Sequence, residues 1–145
     1  MSLSIQTELL TKPSLEALEA LSVLIPQLSS SWKGLDLEEL EKIINQPCVF
    51  IFLARDESKT ICGTLSLVLF DIPTGTRAWI EDVVVDLSSR GKGVGKSLLK
   101  EALSFAHSKN VKTVDLTSRP SRESANKLYQ NLGFELRDTN VYRYK

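Results

Sequence analysis

Apolar positions along the chain switch repeatedly between a period of two and a period near 3.6, and these switches mark the elements. Residues 3–9 read as a short first strand. Thr11 or Ser14 then caps a helix whose apolar positions are Leu15, Leu18, Leu21 and Ile25. Ser29, Ser30, Ser31 and Gly34 mark a loop. Asp36 followed by Glu39 has the form of a capping box, opening a short helix with Leu37, Leu40, Ile43 and Ile44 that stops before Pro47. Strand-like runs at 48–55 and 60–70 flank the polar turn Asp56–Lys59, which reads as a hairpin. Pro73, Thr74 and Gly75 turn the chain into the β-branched run Trp79–Val85. After a glycine-rich loop, Leu98, Leu99, Ala102, Leu103 and Ala106 form a helical stripe. Val111–Thr117 reads as a strand and Ser121–Leu132 as a helix with Gly133 at its C′ position; Phe134–Leu136 and Val141–Tyr144 read as closing strands. The order β-α-α-β-β-β-α-β-α-β-β predicts one α/β (α+β) domain over residues 1–145. Its sheet is mixed and largely antiparallel, with six to seven strands and about four flanking helices.

Composition fits that picture and removes alternatives. With 145 residues, 42% hydrophobic and 25% charged, one core is feasible without staples. No apolar run reaches the ~18 residues of a membrane span, and the N-terminal residues lack a basic region followed by a long apolar one, so a cytoplasmic protein is expected. Cys48 and Cys62 lie in apolar strand-like runs and read as reduced core cysteines. One histidine, His107, and two cysteines are too few for a structural zinc site with four such ligands, so no metal is expected. Net charge is zero but uneven: residues 1–72 carry −5 and residues 73–145 carry +5. A basic half suits an anionic partner. No recognition motif or aromatic interleaving accompanies it, so nucleic acid is not the expected partner, and neither is a membrane.

The chemistry concentrates in Arg90-Gly91-Lys92-Gly93-Val94-Gly95-Lys96, which lies between a strand and a helix. Glycines let backbone approach an anion, and the unpaired amides of a helix start point towards it. Gly95-Lys96-Ser97 imitates the end of a P-loop, but the required first glycine is Arg90. A dinucleotide fingerprint would need glycine at Lys96 and a place in the first βα unit. The pattern that is met is [Q/R]-x-x-G-x-G, through Arg90, Gly93 and Gly95. In this loop, in the preceding Ile80–Asp86 strand and in the later Ala125–Phe134 segment with its Tyr129, Gly133 and Phe134, the sequence resembles the GNAT superfamily of acetyl-CoA-dependent N-acetyltransferases. The Ile80–Val85 stretch also looks like that of glucosamine-6-phosphate N-acetyltransferases.

That resemblance implies an acyltransferase moving the acetyl group of acetyl-CoA directly to a primary amine: an amino sugar phosphate, another small amine, or a protein amine. It implies that backbone of Val83, Val84 and Val85 pairs with the pantetheine arm. Amides of Gly91, Lys92, Gly93, Val94, Gly95 and Lys96 would hold the pyrophosphate beside Arg90. Tyr129 would protonate the departing thiolate. Where the family often has asparagine, seven residues before the tyrosine, this chain has Arg122; Asn126 is the substitute contact, and Arg122 reaching a phosphate is the alternative. Glu81 and Asp82 interrupt an apolar strand. On an unbent strand Glu81 shares a face with Trp79, Val83 and Val85, which favours it as the general base, with Asp82 or water as alternatives. A non-catalytic acyl-CoA-binding regulatory module is the rival reading, and a homodimer is an open option.

Overall fold

Two long antiparallel hairpins carry the architecture. The computed structural model describes residues 4–145. Strands β1 (Gln6–Leu9), β2 (Val49–Arg55), β3 (Ile61–Ile72), β4 (Gly75–Val85) and β5 (Thr113–Asp115) form one sheet in that spatial order. All neighbours are antiparallel except β4 and β5, which run parallel over Arg77–Trp79 and Thr113–Asp115. Helices α1 (Leu15–Leu28) and α2 (Leu37–Ile44) precede β2, α3 (Val94–Ser108) follows β4, and α4 (Glu123–Asn131) follows β5.

Capping follows the sequence signals. The Ser14 side chain accepts from the amide of Ala17, and Asp36 accepts from Glu39 at 2.8 Å, so both helix starts have a donor satisfied. Gly133 takes φ of 100° just past α4, a conformation that favours glycine. On α1 the buried stripe is Ala17, Leu21 and Leu24, while Leu15 is largely exposed. The true stripe is thus rotated from the expected one. Ala17 is small enough to sit against the sheet, and counting only large apolar residues misplaces the phase.

Each sheet face has its own core. On one, Phe52, Leu65, Leu67, Ala78 and Ile80 pack under Val94, Leu98, Leu99, Ala102 and Ala106 of α3. On the other, Ile51, Leu53, Ile61 and Val84 pack against Ala17, Leu21, Leu24 and Leu40 of α1 and α2. Gly63 makes the α3 contact tight: a Cβ there would stand 2.8 Å from Val94 Cγ1 and 3.1 Å from Leu98 Cδ1. His107 is exposed on α3, Cys62 is buried and Cys48 half-buried, and the two are not joined.

The described residues contain five strands rather than six to seven. Phe134–Leu136 and Val141–Tyr144 are not strands, and residues 135–145 make no backbone–backbone hydrogen bond among the described residues. Strand propensity reports fit to a pleated surface, and without a paired neighbour it forms nothing. The strand expected at Val111–Thr117 is reduced to Thr113–Asp115, and that expected at 3–9 is Gln6–Leu9, residue 3 lying outside the described residues.

Candidate active site

The site is built where β4 leaves its neighbour. The β4–β5 ladder ends at Trp79 opposite Asp115, yet β4 continues to Val85. Past Trp79, β4 therefore has β3 on one side and, among the described residues, an unpaired edge on the other. A bulge lies in this stretch: Leu67 faces Ile80, Ser66 faces Glu81, and Thr64 faces Val84, so Asp82 and Val83 together oppose the single residue Leu65. Asp82 absorbs the extra residue with a left-handed φ of 50°.

That bulge changes which side chains share a face. Val83 and Val85 join Ile80 on the α3 side, whereas Val84 packs on the α1 side. Glu81 consequently lies with Trp79 and not with Val83 and Val85, which corrects the expectation drawn for an unbent strand. Its Oε1 accepts from the indole Nε1 of Trp79 at 2.7 Å. Asp82 keeps substantial exposure, yet protein packed around its carboxyl desolvates it. With the charge of Glu81 alongside, this raises its pKa above the ordinary aspartate value.

At the end of β4, Asp86 N donates to the carbonyl of Cys62 at 2.8 Å. By antiparallel alternation the backbone groups of Val85 point away from β3, and its carbonyl accepts Nε of Arg90 at 3.2 Å. A 3₁₀ turn at Leu87–Ser89, absent from the sequence expectation, follows; Gln27 of α1 fastens it. Gln27 Nε2 donates to Asp86 Oδ1 and its Oε1 accepts from the amide of Leu87, both at 3.0 Å. Hydrogen bonds from Gln27 and Ser88 hold the Asp86 carboxyl below the usual aspartate range.

The loop then delivers α3 with bare amides. Gly93 is the N-cap, with φ of 85° and no side chain to accept from the first turn, and Gly91 has φ of 78°. A Cβ at either position would meet nothing within 4 Å. The helix start therefore faces open space, with Lys92 and Lys96 exposed beside it. This fits an anionic group in reach of backbone amides.

Gly95 joins the parts. A Cβ there would lie 3.3 Å from Leu128 Cδ2 and 3.6 Å from Val85 Cγ2, so the start of α3, the end of β4 and α4 meet at this residue. Tyr129, next to Leu128, is half-buried, and its ring stands edge-on to Phe134 with centroids 5.9 Å apart. Burial raises the Tyr129 pKa, opposed by the positive charge of Arg122. The phenol is therefore protonated at neutral pH. Asn126 donates its amide to the carbonyl of Arg119 at 3.0 Å, so that donor serves the turn before α4. Val83–Val85, the glycine loop and Tyr129 are thus gathered at one end of the sheet, with Glu81 and Asp82 at the bulge just before them.

A family profile described as "Acetyltransferase (GNAT) family" matches residues 17–134, most of the chain and all of this site. The chain belongs to that family. Among similar GNAT relatives, Uncharacterized N-acetyltransferase YhdJ of Bacillus subtilis (strain 168) is 30% identical over 103 residues, which is 69% of this chain and 71% of that protein. N-acetyltransferase 8B of Homo sapiens is 29% identical over 102 residues, and there the match spans 45% of the human protein and 69% of this chain. The GNAT fold is also seen in the crystal structure of an aminoglycoside acetyltransferase, meta-AAC0020, from an uncultured soil metagenomic sample in complex with trehalose. Its TM-score is 0.85 at 23% identity, covering 97% of this chain and 95% of that one. Within this candidate site, sequence reasoning missed Gly63 and Gln27. Gly63 carried a signal, an isolated glycine inside an apolar strand, which marks close backbone approach. Gln27 carried none.

Proposed function

We propose that this chain transfers the acetyl group of acetyl-CoA directly to a primary amine. The observation that carries the reading is the unpaired edge of β4 from Ile80 to Val85, lying between the bare amides of α3 and the α4 tyrosine. An extended, amide-rich arm can pair with that edge as an added strand. Backbone of Val83, Val84 and Val85 would take it. Amides from Gly91 through Lys96 would take the pyrophosphate, with the charges of Lys92 and Lys96 in support.

The chain's own groups then divide the proton work. Tyr129, neutral at physiological pH, donates to the departing thiolate. The desolvation that pointed to Glu81 as base acts on Asp82 and raises its pKa towards the operating pH, so Asp82 is taken as the base. Glu81, fixed by Trp79, orients the acceptor's ammonium and stands as the second base candidate. Asn126 spends a side-chain N–H on the carbonyl of Arg119, which supports the alternative in which Arg122 reaches a phosphate of the coenzyme. The unpaired Cys48 and Cys62 support a cytoplasmic setting.

The test is an acceptor panel read by release of free CoA thiol: aminoglycosides, amino sugar phosphates, simple diamines and peptides with free N-termini. Amine-dependent thiol release with acetylated product supports the reading. Tight acetyl-CoA binding with no release for any amine favours the non-catalytic binding module.

A further inference from the structure

The turn that ends β4 is held by a side chain from the helix layer opposite α3. Gln27 stands in the last turn of α1, exposed and off the buried stripe of Ala17, Leu21 and Leu24. Its side-chain amide is fully engaged. Nε2 donates to the carbonyl of Val23 at 3.1 Å and to Asp86 Oδ1 at 3.0 Å, while Oε1 accepts from the amide of Leu87 at 3.0 Å. An amide offers donors and an acceptor together, whereas a carboxylate only accepts and an ammonium only donates. Glutamine is thus the side chain that satisfies all three partners. Its hydrogen bond is also the largest influence holding the Asp86 carboxyl below the usual aspartate range.

The residues held in this way open the segment that leads to the bare helix start. Asp86 N donates to the carbonyl of Cys62, and Ser89 N donates to the carbonyl of Asp86, both at 2.8 Å. Residues 86–89 are therefore fixed to β3 on one side and to α1 on the other. Beyond them, Gly91 and Gly93 take positive φ with open space around them. Glycines lose more backbone freedom than other residues when they are ordered. Fixing one end of such a stretch in the free protein moves part of that ordering from binding into folding, and preorganisation of this kind raises affinity. Hydrogen bonds made by an exposed side chain add little to global stability, because water competes for the same groups. What they set is position.

We propose that Gln27 is a positioning residue for acetyl-CoA: by tying Asp86 and Leu87 to α1, it sets where the Gly91–Lys96 amides begin and strengthens coenzyme binding without touching the coenzyme. The proposal rests on the reading of that loop as the pyrophosphate site. Gln27 acts on binding and not on proton transfer. Its side-chain hydrogen bonds run to Val23, Asp86 and Leu87, and none reaches Tyr129, Glu81 or Asp82. Loss of the tie should accordingly raise KM for acetyl-CoA and spare kcat, the pattern of an interaction that serves ground state and transition state alike.

The test compares the full wild-type chain with Gln27→Ala, Gln27→Glu and the pair Gln27→Glu with Asp86→Asn. Calorimetry with acetyl-CoA and thiol-release kinetics are read on each, after thermal melts establish that each is folded. Gln27→Ala should weaken acetyl-CoA binding about tenfold. Gln27→Glu sets a carboxylate against Asp86 and should bind no better than Gln27→Ala. Adding Asp86→Asn exchanges donor and acceptor. The asparagine amide donates to the new carboxylate, which still accepts from Leu87, and the asparagine carbonyl can still accept from Ser88. Affinity should then return towards that of the wild type, which a general loosening of the fold would not produce. Equal acetyl-CoA affinity in wild type and Gln27→Ala overturns the proposal and leaves the loop assignment standing. So does a double variant that binds no tighter than Gln27→Glu, or an effect confined to kcat. A wild-type chain that binds no acetyl-CoA overturns the loop assignment itself, and this proposal with it.

Discussion

The indole of Trp79 holds the carboxylate of Glu81 at 2.7 Å, and the next residue, Asp82, turns into a left-handed conformation. These two facts reverse the ranking of the adjacent carboxylates that an unbent strand implies. Glu81 is tied to its own strand; Asp82 is thrown out by the bulge into a position where its charged form is disfavoured.

The pH dependence of turnover should therefore belong to Asp82. With its pKa raised by burial and by Glu81, the active base form appears as pH rises through that value, and kcat/KM rises with it. Asp82→Asn should remove this limb and lower the rate about 10²–10⁴-fold. Glu81→Gln removes the neighbouring negative charge, so the limb should shift to lower pH. A pH–rate profile of each variant with one acceptor decides; an unshifted limb in Glu81→Gln, or a retained one in Asp82→Asn, assigns the base elsewhere.

The same shift has a stability consequence with a definite sign. A carboxyl whose folded pKa is raised favours folding at acid pH, and that contribution is lost as pH rises through the folded value. Asp82→Asn should then melt higher than wild type at pH 7, with the difference shrinking below the ordinary aspartate pKa. Asparagine also tolerates positive φ. Thermal melts across pH measure this directly.

Gly93→Asp places a negative side chain at the helix start, where the structure has open space. Acetyl-CoA affinity should weaken by ~2 kcal/mol or more, read by calorimetry. Nothing lies within reach of the new Cβ, but the φ of 85° strains any L side chain there, so circular dichroism and a thermal melt establish that the variant is folded before its affinity is read. Unchanged affinity would move the pyrophosphate site elsewhere.

Tyr129→Phe keeps the edge-on contact with Phe134 and removes only the proton. Single-turnover acetyl transfer should fall about 10²–10⁴-fold with CoA affinity retained. Equal rates would make Tyr129 a packing residue.

Gly63→Ala should be the most damaging small substitution in the sheet. Its Cβ would meet Val94, Leu98 and the backbone carbonyl of Val84 at 2.8–3.2 Å. Overpacking of this kind costs about 1–3 kcal/mol, visible as a lowered Tm. Gly91→Ala, with open space around it, should cost less in packing despite its positive φ.

The glycine loop, the helix caps and the succession of elements along the chain through β4 were legible because each rests on local chemistry. Asp36 caps α2 through its own side chain, and Gly93 permits a backbone few other residues adopt. The bulge was not legible. Alternation in Trp79–Val85 is blurred by consecutive valines, and the extra residue is set by the register against Leu65 on another strand. The closing strands failed for a related reason: Val141–Tyr144 has strand composition, but pairing is a property of two segments. On α1 the buried phase was missed because Ala17 was not counted as apolar core.

Gln27 gives the molecule a mechanical property that no single site has. Its side-chain amide grips both Asp86 and Leu87, so the last turn of α1 and the turn leading into the glycine loop form one lever. A ligand that displaces α1 does work on that loop, and by thermodynamic reciprocity a ligand in the loop does equal work on α1. Binding that strains this tie from either side of β4 is felt on the other, and Gln27→Ala should remove that link.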